Sequence, residues 1–101
     1  MVESTKFKVL EIILQNRRAG FDAIQVALIR NFPEMSWEEI ASFIALLGRE
    51  GYLKNLYGND ALQAIFVQPA ARARLYAARE NAKSEMAKAI IDRIIKFVPL
   101  P

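Results

Sequence analysis

Apolar residues recur along most of this chain at the three- and four-residue spacing of helices, most clearly between Ser36 and Gly51. Ser36-Trp37-Glu38-Glu39 forms a capping box, because the Ser36 hydroxyl and the Glu39 carboxylate can each accept a hydrogen bond from the other residue's backbone N–H. The apolar positions that follow share one side of a helix turning about 100° per residue; they are Trp37, Ile40, Phe43, Ile44 and Leu47. Gly51 ends the pattern, which predicts a helix facing a core.

The apolar spacing changes after Gly51 and indicates a β-hairpin. Leu53, Leu56 and Tyr57 lead into the turn sequence Gly58-Asn59-Asp60, and Leu62 to Val67 is a run of β-favourable residues. We therefore expect the tip of the hairpin near Asn59. Pro69 then suits the first turn of a helix, where its missing N–H is tolerated, and Ala70 to Arg79 has strong helix propensity.

Two further helices are predicted upstream. Ser4 or Thr5 caps the first, and Gly20 is a left-handed terminator after it. Its inward positions are Phe7, Leu10, Ile13 and Leu14. The second begins at Asp22, where Gln25 completes a capping box, and stops before Pro33. Its interior from Ile24 to Ile29 is almost wholly apolar, so we expect it to be covered on most sides, as the middle helix of a three-helix core.

The C-terminal part of the chain predicts two helical segments with different inward faces. The earlier stripe consists of Ala71, Leu75, Ala78 and Ala82, and the later one faces a different direction. A bend is therefore expected between Asn81 and Ser84, with Ser84 as a helix cap. The later segment is strongly amphipathic, and Pro99 and Pro101 end it. Its apolar face is formed by Met86, Ala87, Ile90, Ile91, Ile94, Phe97 and Val98.

Two short segments in this order resemble parts of bacterial transcriptional regulators of the multiple-antibiotic-resistance and phenolic-acid types. Leu46 to Leu53 is similar to the end of their recognition helix and their first wing strand. Val67 to Leu75 is similar to the segment that leaves their wing, although Gln68 replaces the usual threonine and Ala71 the usual glycine. The resemblance implies an α+β, mainly α fold: a winged helix-turn-helix of three helices and a two-stranded wing in residues 1–69, with a C-terminal amphipathic helical extension in 70–101.

The resemblance also implies a regulator of transcription that binds double-stranded DNA. Ser42 and Arg49 would then face the major groove, with Lys54 and Asn59 on the wing. The candidates for phosphate contacts are Arg17, Arg18, Arg30, Arg72 and Arg74.

The charge distribution favours a second hypothesis. Residues 1–69 carry seven basic and eight acidic side chains, so the net charge of +3 comes from the C-terminal part. Affinity for duplex DNA depends mainly on phosphate neutralisation, and the turn at Asn59 lacks the arginine that the resembled families keep there. A winged-helix module that binds protein is therefore the alternative. Its binding surface would be the C-terminal helix or a strip of small residues, unless that strip packs internally on the C-terminal segment; the strip is Ala41, Ser42, Ala45 and Gly48.

The C-terminal apolar face predicts a homodimer, because a small three-helix core already has enough apolar side chains to fill it. The dimerisation candidates are Met86, Ile90, Ile91, Ile94, Phe97 and Val98. A helix that folds back across its own core and a helix that lies on a membrane surface are the alternatives.

Composition gives little support for catalysis. The chain has no histidine and no cysteine, which removes the commonest general base, metal ligand and thiolate nucleophile. Glu34, Glu38 and Glu39 could be read as a cation site, but acids at a helix start already interact with its dipole. We expect no cofactor and no metal. The 101 residues fit one domain, and neither a secretory signal nor an apolar stretch of about 20 residues is present, so we expect a cytoplasmic protein.

Overall fold

A computed structural model describes residues 2–98, a mainly helical chain with one antiparallel pair of strands. The predicted α+β, mainly α class is therefore confirmed. The elements are α1 (Val2–Asn16), a 3-10 turn (Arg17–Ala19), α2 (Phe21–Asn31), α3 (Trp37–Arg49), β1 (Leu53–Gly58), β2 (Ala61–Val67), α4 (Ala71–Asn81) and α5 (Glu85–Ile95). Pro99 and Pro101, predicted to end the last helix, lie outside the described residues.

Helix α1 is the centre of the molecule. Its residues from Val9 to Leu14 are all buried, and α1 packs against α2, α3 and α5. The four predicted inward residues of α1 are buried as expected, but so are Val9 and Ile12, which lie outside that stripe. A helix without a solvent face needs packing partners all round, and three other helices supply them here.

The predictions for the starts of α1 and α2 were wrong. Helix α1 begins at Val2, so Ser4 lies inside it and is buried instead of capping it. Helix α2 begins at Phe21, with Gly20 in the N-cap position at φ 93°, and no side chain caps it. The expected capping box at Asp22 is therefore absent, because the chain enters α2 one residue earlier through a conformation that favours glycine.

The expectation that α2 would be covered on most sides was also wrong. Only Ile24 and Leu28 of α2 are buried, whereas Val26 and Ile29 are 46% and 48% exposed. The enclosed helix is α1, and α2 packs on it along one side only. Apolar composition alone did not distinguish a central helix from a peripheral one.

The hairpin forms where the sequence predicted it. Strands β1 and β2 pair from Leu53↔Val67 to Gly58↔Ala61, with an irregularity between Leu56 and Tyr57. The two residues of the tip, Asn59 and Asp60, have φ values of 52° and 61°. Positive φ at both central positions is the geometry of the tight turns that match the twist of paired strands.

Helix α5 folds back onto its own chain after the predicted bend. Ser84 caps it, accepting a hydrogen bond from the Ala87 backbone N–H at 3.0 Å. Four of the six dimerisation candidates are buried in the same apolar core as α1; they are Ile90, Ile91, Ile94 and Val98. The predicted dimer face is thus covered by α1 and α4 of the same chain, as in the fold-back alternative. Only Met86 and Phe97 stay exposed, at 65% and 43%.

An ion pair accompanies this packing. Glu11 of α1 is buried, and both of its carboxylate oxygens accept hydrogen bonds from Arg93 of α5, through Nη2 at 2.7 Å and through Nε. Lys8 Nζ lies 3.2 Å from the same carboxylate. The bonds from Arg93 lower the pKa of Glu11 despite the opposing effect of burial. A fork of two charge-assisted bonds fixes the position of α5 against α1.

The buried face of α5 predicts unequal effects of truncating its apolar residues. Ile91→Ala should lower the free energy of unfolding by about 2–5 kcal/mol, because it removes a fully buried side chain from the core. Met86→Ala should change it by less than about 1 kcal/mol, because the Met86 side chain is mostly in water. Urea titrations measure both, and equal losses would contradict the fold-back packing.

The Glu11–Arg93 pair predicts a dependence of stability on pH. The folded chain holds the pKa of Glu11 below its ordinary value of 4.5, so at acid pH the unfolded chain binds more protons. The stability from Glu11 is therefore present above the unfolded pKa and is lost as pH falls through the folded one. Arg93→Met removes the main cause of the shift and should make the loss of stability below about pH 4.5 shallower.

Arg79→Met is the matched control for this pH dependence. Arg79 pairs with Asp92 on the surface, with both side chains substantially exposed, and does not touch Glu11. Urea titrations at several pH values should give the control the same slope as the wild type. If Arg93→Met also keeps the wild-type slope, the pair is not the source of the acid sensitivity.

Candidate nucleic-acid interface

A groove of about 410 Å³ separates the outer flank of α3 from β1. Helix α3 contributes Ala45, Gly48 and Arg49, and β1 contributes most of the other wall. The remaining lining residues are Leu53, Lys54, Asn55, Tyr57 and Gln68. The groove therefore combines the two elements that the resemblance assigned to DNA contact.

Capping and burial together fix the orientation of α3. The capping box is confirmed: Glu39 N–H donates to Ser36 Oγ at 3.1 Å, and Ser36 N–H donates to Glu39 Oε1 at 2.9 Å. Three apolar side chains of α3 are fully buried; they are Ile40, Ile44 and Leu47. The opposite side of the helix therefore has to face solvent, and it exposes Ser42 and Arg49.

Hydrogen bonds hold the hairpin against α3. The Tyr52 backbone N–H donates to the carbonyl of Leu47 at 3.0 Å, which ties the start of the hairpin to the end of the helix. Asn55 Nδ2 donates to the carbonyl of Ile44 at 3.0 Å, and Gln68 Nε2 donates to the carbonyl of Leu53 at 3.4 Å. The first two bonds join the hairpin to α3, and the third joins the two ends of the hairpin to each other.

The strip of small residues on α3 borders the hairpin. Packing on the C-terminal segment was one of the two roles considered for it, but Ala45 and Gly48 instead line the groove beside β1. A Cβ atom on Gly48 would come within 2.7 Å of Asn55 Nδ2. The glycine thus permits β1 to approach α3 closely. The sequence pattern had predicted that a helix would approach α3 on this side.

The charged side chains of the groove are cationic. Arg49 and Lys54 are both exposed, and within residues 2–98 neither forms an ion pair with an acid. The nearby Glu50 is held by Lys6, whose Nζ lies 2.8 Å from its carboxylate. Burial, together with Glu50, raises the pKa of Tyr52 to about 12, so its phenol stays neutral. The groove therefore presents an unneutralised positive charge.

Arg74 lies next to this region on α4. Gly51, at φ 88°, ends α3, and a Cβ there would come within 2.7 Å of Arg74 Cζ. The guanidinium therefore covers the junction between α3 and β1. Of the predicted phosphate-contacting arginines, Arg74 is the one that the structure places beside Gly51, two residues beyond Arg49.

The other arginines predicted to contact phosphate lie elsewhere. Arg72 Nη1 donates to the carbonyls of Ile95 and Val98, both at 3.3 Å, so it caps the end of α5. Arg17 donates to the carbonyl of Leu14 at 2.7 Å and shares a separate pocket with Arg18. Arg30 lines a further pocket that also contains Asp22. The arginines predicted to contact phosphate therefore lie at several separate places in the structure.

Ser42 and Asn59 flank the groove without lining it. Ser42 is exposed on α3, and its hydroxyl donates to the carbonyl of Glu39 at 2.6 Å. Asn59 is exposed at the tip of the hairpin beside Asp60. Both side chains are accessible to a ligand that spans α3 and the hairpin.

The polar residues of the groove floor and of the core were missed by sequence reasoning. Asn55 was not singled out, and Gln68 was noted only as a departure from the resembled families. An asparagine at the alternate position between Leu53 and Tyr57 interrupts one face of an apolar strand, which is a usable signal. Glu11 gave no signal, because an acid in a helical pattern is usually solvated. Its partner is 82 residues away in the chain.

Comparisons with known protein families, with characterised proteins and with solved structures find no match to this chain. Among residues 2–98, no three acidic, histidine or cysteine side chains are grouped so that they could hold a metal ion. No helix of the same part of the chain has the length and apolar character needed to cross a membrane. The candidate interface therefore rests on the geometry of the groove between α3 and β1.

Two serines of α3 give a matched test of what positions this helix. Ser36→Ala should lower the free energy of unfolding by about 1 kcal/mol, because it leaves the Glu39 N–H without its cap. Ser42→Ala should change it by less than about 0.5 kcal/mol, because the hydroxyl is exposed and its acceptor already belongs to the helix. Thermal or urea unfolding measures both, and the reverse order would show that the capping box does not hold α3.

Proposed function

We propose that this chain is a winged-helix DNA-binding protein that regulates transcription. In this proposal α1, α2 and α3 are the three-helix core, α3 is the helix presented to the major groove, and β1 and β2 are the wing. The observation that carries the proposal is the groove between α3 and β1, whose charged lining residues, within the part of the chain that the structure describes, are Arg49 and Lys54.

The geometry of α3 supports this role. The major groove of B-DNA is about 12 Å wide and admits one α-helix, and the side of α3 away from the core is free of other elements at Ser42 and Arg49. Arg49 can donate to base edges or phosphates, and Ser42 can act as donor or acceptor. The wing would then carry Lys54 and Asn59 to the neighbouring backbone.

Arg74 extends the positive surface beyond the groove. It lies against Gly51 at the end of α3, and Glu50, which precedes Gly51 in the chain, is already paired with Lys6. Each cation that neutralises a phosphate releases a counterion and adds to the affinity. Arg49, Lys54 and Arg74 together would provide a modest, salt-sensitive affinity.

A protein-binding module is the second candidate, favoured by the apolar surface of the hairpin. Leu56 of β1 and Phe66 of β2 are 44% and 54% exposed, and they lie on the two paired strands of the hairpin. Exposed apolar side chains close together are typical of protein interaction sites. In this case α3 would hold the hairpin in position for a protein partner, and the chain would bind no nucleic acid.

Salt dependence distinguishes the two functions. The wild type should bind random duplex DNA at low salt, and its affinity should fall steeply as salt is raised. Arg49→Gln and Lys54→Gln should each reduce the slope of log K against log salt by about 1, because each removes one phosphate contact. Fluorescence anisotropy with a labelled duplex measures the slope.

Lys83→Gln is the control for this titration. It removes the same charge from the exposed connection between α4 and α5, and its slope should equal that of the wild type. Equal losses in all three variants would indicate a general effect of net charge. A wild type that forms no complex with duplex DNA at about 50 mM salt, where such binding is strong, would rule out DNA binding and leave the protein-binding candidate.

A further inference from the structure

Two residues that weaken the fold locally meet at one point in the groove. Gly48 lies inside α3, where glycine is a poor helix former. Asn55 lies in β1, where its Oδ1 is the one buried side-chain oxygen or nitrogen without a hydrogen-bond partner in the described part of the chain. Local violations of this kind are expected at functional sites, because selection for stability alone would remove them.

The contact between them is close and directional. Asn55 Nδ2 donates to the carbonyl of Ile44 at 3.0 Å, one turn before Gly48 in α3. A Cβ on residue 48 would approach this nitrogen to 2.7 Å, so any side chain there would displace the amide. The glycine and the asparagine thus form a joint in which β1 rests directly on the backbone of α3.

The orientation of the amide follows from this joint. The carbonyl oxygen of Ile44 can only accept a hydrogen bond, so the NH₂ group of Asn55 has to face α3. The Oδ1 atom then points away from this carbonyl and has no partner in the described part of the chain. A buried acceptor without a partner is destabilising, and an apolar side chain of the same shape would avoid that cost. A contribution to folding stability therefore does not account for an asparagine at position 55.

What the joint does achieve is to fix the spacing of the two free cations. Arg49 follows Gly48 in α3, and Lys54 precedes Asn55 in β1. Both line the same groove, so the distance between them depends on how closely β1 approaches α3. We infer that Asn55, seated on Gly48, is a positioning residue that sets Arg49 and Lys54 at the spacing of the phosphates that they contact. This inference rests on the proposed DNA-binding function.

Asn55→Leu tests the inference by separating stability from binding. The variant keeps the branching and the number of heavy atoms of the side chain, and it removes both the bond to Ile44 and the unpaired oxygen. We expect its urea midpoint to equal or exceed that of the wild type, and its Kd for a random duplex to rise at least fivefold at low salt. A lower midpoint with an unchanged Kd would show that Asn55 serves the fold, and would overturn the inference.

A double-mutant cycle tests whether Asn55 acts through Lys54. If the joint acts by setting Lys54 relative to Arg49, Asn55→Leu should weaken binding much less in a Lys54→Gln background than in the wild type. A purely structural role would give additive losses, with the same fold-change in both backgrounds. Additive losses would therefore contradict a positioning role.

Gly48→Ala tests the other half of the joint. Alanine is the better helix former, so the variant should unfold at a midpoint no lower than the wild type while its Kd rises, because the new methyl group displaces the Asn55 amide. Combining it with Asn55→Leu should weaken binding little further, since the joint is already broken. A Gly48→Ala variant that binds as well as the wild type would contradict the inference.

Asn81→Leu is the matched control. Asn81 also donates its side-chain NH₂ to a backbone carbonyl, that of Ala77 at 3.0 Å, but on α4 and outside the groove. Its Kd should stay within twofold of the wild type. The failure of this inference is distinguishable from the failure of the proposed function. A wild type that binds no DNA would contradict both. A wild type and an Asn55→Leu variant that bind DNA equally well would contradict only the positioning role of Asn55.

Discussion

The enclosure of α1 is the constraint on which the rest of the structure depends. Six successive residues from Val9 to Leu14 are removed from water, so no side of this helix can be left to solvent over nearly two turns. Helices α2, α3 and α5 each cover part of it. The C-terminal helix is therefore part of the core, and a chain lacking it would expose apolar surface on α1.

The buried Glu11 makes this packing specific. An unpaired carboxylate at a position that is 2% exposed would be costly, and the guanidinium of Arg93 supplies the compensation from α5. Apolar burial alone would allow α5 to slide or rotate on α1. The two bonds between Glu11 and Arg93 select one register, and the cap at Ser84 sets where the helix begins.

This packing also determines which surface remains for function. With α5 folded onto α1, the broad apolar face that suggested a dimer is covered, and the exposed positions of α3 and the hairpin become the main candidate site. Three local interactions build the site. The capping box orients α3, Gly48 leaves room for the hairpin beside it, and Asn55 forms a hydrogen bond from the hairpin to α3. Arg49 and Lys54 line the same groove because these three interactions bring β1 against α3.

Among the features that local chemistry determines, the sequence predicted three correctly but missed the starts of α1 and α2. The capping box at Ser36, the turn at Asn59 and the cap at Ser84 all depend on residues within a few positions of one another. The partner of α5, the exposure of α2 at Val26 and the role of Arg72 depend on segments far apart in the chain. Helical periodicity shows which face is apolar but not what covers it, so the sequence could not choose between a dimer and a fold-back helix.

The most direct test of the enclosure of α1 is whether its contacts with α5 arise within one chain. NMR spectra of a uniformly labelled sample should show nuclear Overhauser effects between methyl groups of α1, such as those of Ile12, and methyl groups of α5, such as those of Ile91. In an equimolar mixture of labelled and unlabelled chains, isotope-filtered spectra should show none of them. Effects between the two kinds of chain would mean that α5 packs on a second copy, and would contradict the account.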